Sequence, residues 1–503
     1  MDSDCHHHRI KDVSFKAIII LIFVFSYGTL SPSRCISQEE NLPRSLFSFE
    51  QIMSEDGTID WAFGDFDGDG TEEYARTEGN GVVVMDLIGG SLRTAGDLVG
   101  RSTVLCLRAL DVTGDSYPEI LIGILKGSTV WTEVWTCSSS SGKNNYSRLL
   151  KTEPVTVTDL NRDGRWDGEI AGYQVIDVND DEYVDILVAF TAGYDMYPRG
   201  LMAFDGKTGR KLWDFPVAGH PYPQVCADLN NDSEMEIIIG DRAPCNGNRA
   251  GDMDDCHSHI MCLDRHGDLM WNYETGGVFT RSAYAISGLN GDGSKKVICT
   301  YASGNIADEP THFELQVRNG GTGEVENRFS HPTEFIQPYV NDFDRDGVDE
   351  IVIGNEDGWL YLFSHNLEIL KKARISRVLQ KWEVSEIVDI NDDGEEEEEI
   401  IVTSDNTFLI LNSDLLLLGK HAAGSKIWPT SIHYFKNPFY GDLIAVLLGK
   451  NTEPRSGTIL RMIPQTLTAT GTSEEEQSHL VFYLLILAAG VAVTVTGLKV
   501  IPL

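Results

Sequence analysis

An acidic loop recurring at intervals of roughly 53 residues, a β-branched strand leaving most copies and almost no helical periodicity predict an all-β chain, a β-propeller of four-stranded blades. The cleanest copy is GDFDGDGTEE at 64–73, which sets five carboxylates in ten residues behind the apolar run WAF. Like charges this close disfavour compact structure unless they are solvated or a cation joins them. Further copies begin at Asp111, Asp177, Asp228, Asp342 and Asp389, and worn ones at Gly288 and Tyr434.

Each copy reads in the same order. An apolar strand such as AYAI or EIVDI enters the loop, and a continuous apolar run such as IIIG or ILVAF leaves it, as expected of a strand buried on both faces. A glycine turn and a third alternating strand follow, as in GWLYLF, and several units add a turn and a fourth strand, as in DGKTGRKLWDF at 205–215. The last unit has LIAVLLG and TILRMI but no clear fourth strand; LFSFEQI at 46–52 could supply it and close the ring between the two ends. That favours eight blades over residues 45–467, or seven where a worn copy is not a full blade.

The spacing D-x-[DN]-x-D-G-x-x-[DE] sets oxygen ligands at positions 1, 3, 5 and 9 and a backbone carbonyl at 7. This suits a hard cation such as Ca2+. An EF-hand would end on a glutamate at position 12 and enter a helix, whereas here an acid at 9 enters a strand. The best ligand sets are Asp65, Asp67, Asp69 and Glu73; Asp342, Asp344, Asp346 and Glu350; Asp177, Asn179, Asp181 and Asp185; and Asp228, Asn230, Asp232 and Glu236. In the Asp389 loop, Asn391 and Asp393 follow, with Glu397 or Glu399 closing the shell. The set Asp111, Asp115 and Glu119 has Thr113 at position 3, and the Gly288 copy carries Lys296 where the last acid belongs, so an ammonium would replace the ion. One more match, Asp159, Asn161, Asp163 and Asp167, falls between units and lacks the exit strand. Transition metals are disfavoured, because these loops hold no His or Cys.

These loops and their exit strands resemble the FG-GAP repeats of the integrin alpha-subunit N-terminal propeller. IIIGDRAP at 237–244 is similar to that family's glycine–alanine–proline ending, and Phe63-Gly64 to its opening. The resemblance implies a propeller stabilised by several calcium ions, and a cell-adhesion role as an integrin alpha-like module. The DGKTGRKLW pattern is also similar to quinoprotein-like propellers, many of them non-catalytic. No leg-like domains follow the propeller in this sequence, unlike an integrin alpha subunit, so pairing with a beta subunit is not expected.

In a blade, the cation loops join strands 1 and 2. Loops joining strands 2 and 3 therefore lie on the opposite face. Three successive ones are long, at 191–200, 241–259 and 302–312, and loops on a rigid scaffold are where binding concentrates. A ligand face for a protein or glycan is expected there, with Tyr194, Tyr197, Arg199, Arg242 and His257 as candidates. The alternative is insertion drift in tolerant loops. No nucleophile elbow, phosphate loop or zincin motif appears, so a non-catalytic binding module is favoured over a quinoprotein-like enzyme, with an extracytoplasmic assembly scaffold as the alternative. The Cys256, His257, His259 spacing is only loosely metal-like.

A formal charge of −37 argues against nucleic acid and anionic lipid headgroups as partners. The basic and then apolar stretch within residues 1–37 reads as a secretory signal peptide. Residues 468–479 read as an acidic linker, and the uncharged run 480–498 as a single-pass transmembrane anchor with the propeller outside, or as a GPI signal. Plasma membrane or cell surface is the expected location. Cys245 and Cys256 flank a polar loop and are the disulfide candidate, while Cys106, Cys226, Cys262 and Cys299 read as buried thiols. Asn145 heads a glycosylation sequon in a polar stretch, whereas Asn231 lies inside a cation loop.

Overall fold

The fold is taken from a computed structural model, which describes residues 36–37 and 46–464 apart from 57–59, 80, 86–91, 94–102, 141–142, 289–294, 305–311, 376–382, 391–397, 438–440 and 451–452. The apolar stretches at 17–30 and 480–498 lie outside the described residues. Among the described residues there is no helix; antiparallel sheets, mostly of four or five strands, follow one another along the chain, and the last two units share one eight-stranded sheet. Unit 1 spans 61–93, unit 2 103–151, unit 3 168–216, unit 4 220–276, unit 5 284–331, unit 6 335–374, unit 7 383–422, and unit 8 is built on 426–464.

Residue type sets each strand's depth. In unit 6, Glu350–Asn355 is buried along its whole length and Trp359–Phe363 nearly so, which is why both read as continuous apolar runs. Fourth strands form the rim and alternate or stay exposed, as in Lys211–Pro216 and Val325–His331. Among the described residues the units pack face to face through eight apolar clusters, each drawing on two neighbours. One of these joins unit 8 to unit 1: Trp61, Tyr74, Val83 and Met85 meet Phe435, Leu443, Ala445 and Ile459. A cycle of stacked sheets that returns to its first member is a β-propeller.

The strand Phe47–Asp56 supplies the fourth strand of unit 8. It runs antiparallel to Glu453–Pro464, with Phe47 opposite Pro464 and Asp56 opposite Ser456. Phe47 also pairs with Gly419, so units 7 and 8 join through one strand drawn from near the start of the chain. At the rim of unit 6, Ile36–Ser37 pairs in parallel with Ile369–Arg374.

Polar ties cross the joint between units 8 and 1. His433 stacks on Phe63 at 4.5 Å; its Nε2 lies 3.1 Å from Glu72 of unit 1 and its Nδ1 3.4 Å from Glu386 of unit 7. Burial alone would lower the imidazole's pKa, but the bonds to Glu386 and Glu72 outweigh it and push it up to about 9. A group whose folded pKa is raised stabilises fully below its ordinary value and loses that contribution as pH rises through the folded one. Stability to denaturant should therefore fall between about pH 6.5 and 9 by on the order of 1 kcal/mol, and His433→Gln should flatten that slope. An equal slope in the variant would show that the histidine does not carry it.

Candidate functional site

The acidic loops share one hydrogen-bond scheme. The carboxylate at position 1 accepts the N–H of position 6: Gly70 to Asp65 at 2.9 Å, Ser116 to Asp111 at 2.9 Å, Glu182 to Asp177 at 3.0 Å, Ser233 to Asp228 at 3.0 Å and Gly347 to Asp342 at 2.9 Å. The carboxylate at position 5 caps position 7, as Asp69 caps Thr71 at 2.9 Å, and Asp115, Asp181, Asp232 and Asp346 do likewise. The acid at position 9 is buried and accepts the N–H of position 2: Phe66 to Glu73 at 2.9 Å, Val178 to Asp185 at 3.0 Å, Leu229 to Glu236 at 2.7 Å and Phe343 to Glu350 at 3.0 Å.

Positions 4 and 6 take left-handed backbone. Glycine suits this at Gly68 and Gly70, yet Asp180, Asn231 and Arg345 hold position 4 elsewhere, and Ser116, Glu182 and Ser233 hold position 6. The glycine expected for the sharp turn is thus replaced in several copies, where the caps from positions 1 and 5 hold the turn instead.

Two loops gather carboxylate oxygens within 4.8 Å of one another: Asp65, Asp67, Asp69 and Glu73 in unit 1, and Asp342, Asp344 and Glu350 in unit 6. Burial first, then the carboxylates of Asp67, Asp69 and Asp65, push Glu73 up to about 8. Burial with Asp344, Asp346 and Asp342 pushes Glu350 up to about 7. Asp228 Oδ1 and Asp342 Oδ1 are buried without a hydrogen-bond partner. Orphaned acceptors beside mutually repelling acids fit a divalent cation, which favours all-oxygen sets of this kind. Asp65, Asp67, Asp69 and Glu73, and their counterparts in unit 6, would hold it.

Other loops bond more among their own side chains, although Asp228 Oδ1 in unit 4 stays without a partner. Asn179 Oδ1 accepts from Asp181 N–H at 3.0 Å, and Asn230 Nδ2 donates to Asp232 and Glu236 at 2.9 Å each. In unit 2, Glu119 accepts from Val112 N–H at 2.8 Å and Thr113 N–H at 3.2 Å. In unit 7, Asn391, Asp393 and Glu397 lie outside the described residues. There Glu399, not Glu397, stands at the closing place: it is buried and accepts Ile390 N–H at 2.8 Å. Glu399 begins the exit strand Glu399–Ser404, as Glu350 begins its own, so the unit 7 loop is longer than its relatives and position 9 is displaced by two. Lys296 turns to Glu326 at 3.1 Å.

The interposed loop repeats the scheme on the other face. Asp163 N–H donates to Asp159 and Asn161 at 3.0 Å each, and Gly164 N–H to Asp159 at 3.0 Å. Leu160 N–H, however, donates to Asp195 at 2.8 Å, so Asp195 of the 191–200 loop takes the closing place expected of Asp167. Asp167 instead caps Tyr194 N–H at 2.7 Å and Asp195 N–H at 3.2 Å. Spacing along the chain could not show an acid borrowed from a loop 28 residues away.

On the long-loop face, Tyr194 and Tyr197 are 66% and 43% exposed, and Arg242 is exposed. Arg199 is a correction: it is 4% exposed, and its guanidinium donates to the carbonyls of Ala192, Gly193 and Ala218 and meets Asp255 at 3.4 Å, leaving nothing for an external ligand. His257 is partly exposed with Nδ1 2.9 Å from Asp254. Cys245 and Cys256 form a disulfide that pins the 241–259 loop, and Asp255 within it caps Asn246 and Gly247. Cys256 is therefore no metal ligand, and His259 points inward to Asp241 at 3.5 Å. Asn145 is exposed at the rim of unit 2, in the strand Lys143–Lys151. Among the free thiols, Cys106, Cys262 and Cys299 are buried and Cys226 is partly so.

No protein-family model matches the sequence, and no curated protein matches it. Solved structures with similar folds include the Dos1 propeller, at 9% identity over 83% of this chain and 94% of that one with a TM-score of 0.48. BamB from Moraxella catarrhalis is similar at 12% identity over 84% of this chain and 100% of that one, TM-score 0.42. BBS1N in complex with ARL6DN is similar at 11% identity over 86% and 100%, TM-score 0.41. These values are too low to extend to function, and the architecture stands on strand order and packing.

Proposed function

We propose that this chain is a calcium-stabilised, FG-GAP-type propeller of eight blades that acts outside the cytoplasm as a non-catalytic binding or adhesion module. The observation that carries the reading is the division of labour between faces. One face is a belt of acidic loops whose ligands are fixed by their own strands, and the other presents long loops with exposed tyrosines and a disulfide. The signal-like and anchor-like runs support a surface protein with the propeller outside. The partner is a protein or glycan met by the long-loop face, with Tyr194, Tyr197, Arg242 and His257 in contact.

The test is capture of cell-surface partners by residues 45–467, with and without chelator, beside a Tyr194→Ala/Tyr197→Ala/Arg242→Ala variant. Calcium-dependent capture of one partner, reduced about tenfold or more in the variant, is expected, since exposed aromatic and arginine anchors carry most of such energies. Undiminished capture by a correctly folded variant would remove the long-loop face from the reading. Turnover of an added quinone or sugar would replace it with an enzyme.

A further inference from the structure

Unit 1 does not hold its acidic loop alone. Two consecutive residues of unit 2, Tyr117 and Pro118, lie against it at Gly68 and Gly64, on either side of Asp65 and Asp67. A Cβ on Gly64 would stand 2.5 Å from the Pro118 ring and one on Gly68 3.1 Å from the Tyr117 ring, so this approach needs both glycines. Phe66, between Asp65 and Asp67, is buried in the apolar cluster shared by units 1 and 2, and Cys137 and Tyr146 of unit 2 pack on that cluster. These two residues pair across the strands Thr129–Ser140 and Lys143–Lys151. Burial first, then Cys137 and the carboxylates of Glu73 and Asp67, push the Tyr146 phenol above its ordinary range.

The loop of unit 6 has a different setting. Asp344, the counterpart of Asp67, is exposed where Asp67 is partly buried, and the exposed Arg345 takes the place of Gly68. The third and fourth strands of unit 7 beside it, Thr407–Leu411 and Leu417–Ala422, are shorter than those of unit 2. We infer that Tyr117 and Tyr146 are positioning residues which shelter the unit 1 cation site, so that its ion leaves slowly while the ion of unit 6 exchanges freely. Keeping water from one side of the loop lowers the local dielectric and strengthens the hold of its carboxylates on a cation. Unit 6 would then follow changes in the surrounding calcium, and unit 1, beside the ring closure, would stay filled. The inference rests on the reading that these loops take calcium.

The test mixes the calcium-loaded full chain, purified in detergent, with a fluorescent chelator in a stopped-flow instrument. Release should show phases about tenfold or more apart, the slow one absent from Asp67→Asn and the fast one reduced in Asp344→Asn. Tyr117→Ala should speed the slow phase about tenfold, with the ion count by native mass spectrometry and the melting temperature in chelator unchanged. Tyr117→Phe, which keeps the ring, should restore the slow phase. Tyr146→Leu should act like Tyr117→Ala and serves if that variant does not fold. A slow phase of wild-type rate in the folded Ala and Leu variants, or one that survives Asp67→Asn, overturns the shelter while leaving calcium binding in place. A chain that binds no calcium overturns both.

Discussion

Adding EDTA should lower the melting temperature by several degrees, through the loops of units 1 and 6. An ion held at a hundred times its dissociation constant contributes about 2.7 kcal/mol, so two such loops would account for roughly 5 kcal/mol. That is a large fraction of the stability of an ordinary domain. The loss should belong to named residues. Glu73→Gln preserves the acceptor for Phe66 N–H but removes the charge that Asp65, Asp67 and Asp69 oppose. The variant should melt in EDTA no lower than the wild type, because a neutral amide does not repel its neighbours, and it should gain less from added calcium. Asp344→Asn should act likewise in unit 6. Melting curves that calcium and chelator leave unchanged would reduce the belt to capped turns.

The second large effect concerns ring closure. Removing residues through Asp56 should abolish the cooperative fold. It strips the antiparallel partner from Glu453–Pro464 and opens a sheet edge in unit 8. It also withdraws Phe47 and Phe49 from the core between units 7 and 8, and Ile52 from that between 8 and 1. A point variant at the same joint gives a graded version. Trp61 is buried against Phe63 at a ring distance of 5.2 Å, and Trp61→Ala should cost about 3–5 kcal/mol. Circular dichroism melts of both, with a peptide spanning 46–60 added in trans to the truncated chain, check this. A truncated chain that melts like the full one would place closure elsewhere.

Local features were legible in the sequence because their partners are local. The acids at positions 1, 5 and 9 bond to amides within seven residues, so a fixed spacing discloses them. The buried exit strands announced themselves because a strand covered on both faces can carry few polar side chains. What escaped was made by tertiary contact. Arg199 reads as a surface cation until carbonyls from two separate places in the chain, Ala192–Gly193 and Ala218, claim it. Asp195 carries no mark of the loop it completes. Glu399 displaced Glu397 because register against the neighbouring strand, not counting from the first aspartate, sets where a closing acid falls.

Strand polarity adds a consequence for how the molecule would be presented. Asn437 pairs with Gly441 at the strand 1–2 turn of unit 8, and Leu443 with Arg461, so Pro464 ends level with that turn. Phe47 lies opposite Pro464. The chain thus enters and leaves the ring on the side of the acidic belt. A stalk continuing from Pro464 would set that belt toward whatever surface holds the stalk. Tyr194, Tyr197 and Arg242, on the opposite face, would then look away from that surface.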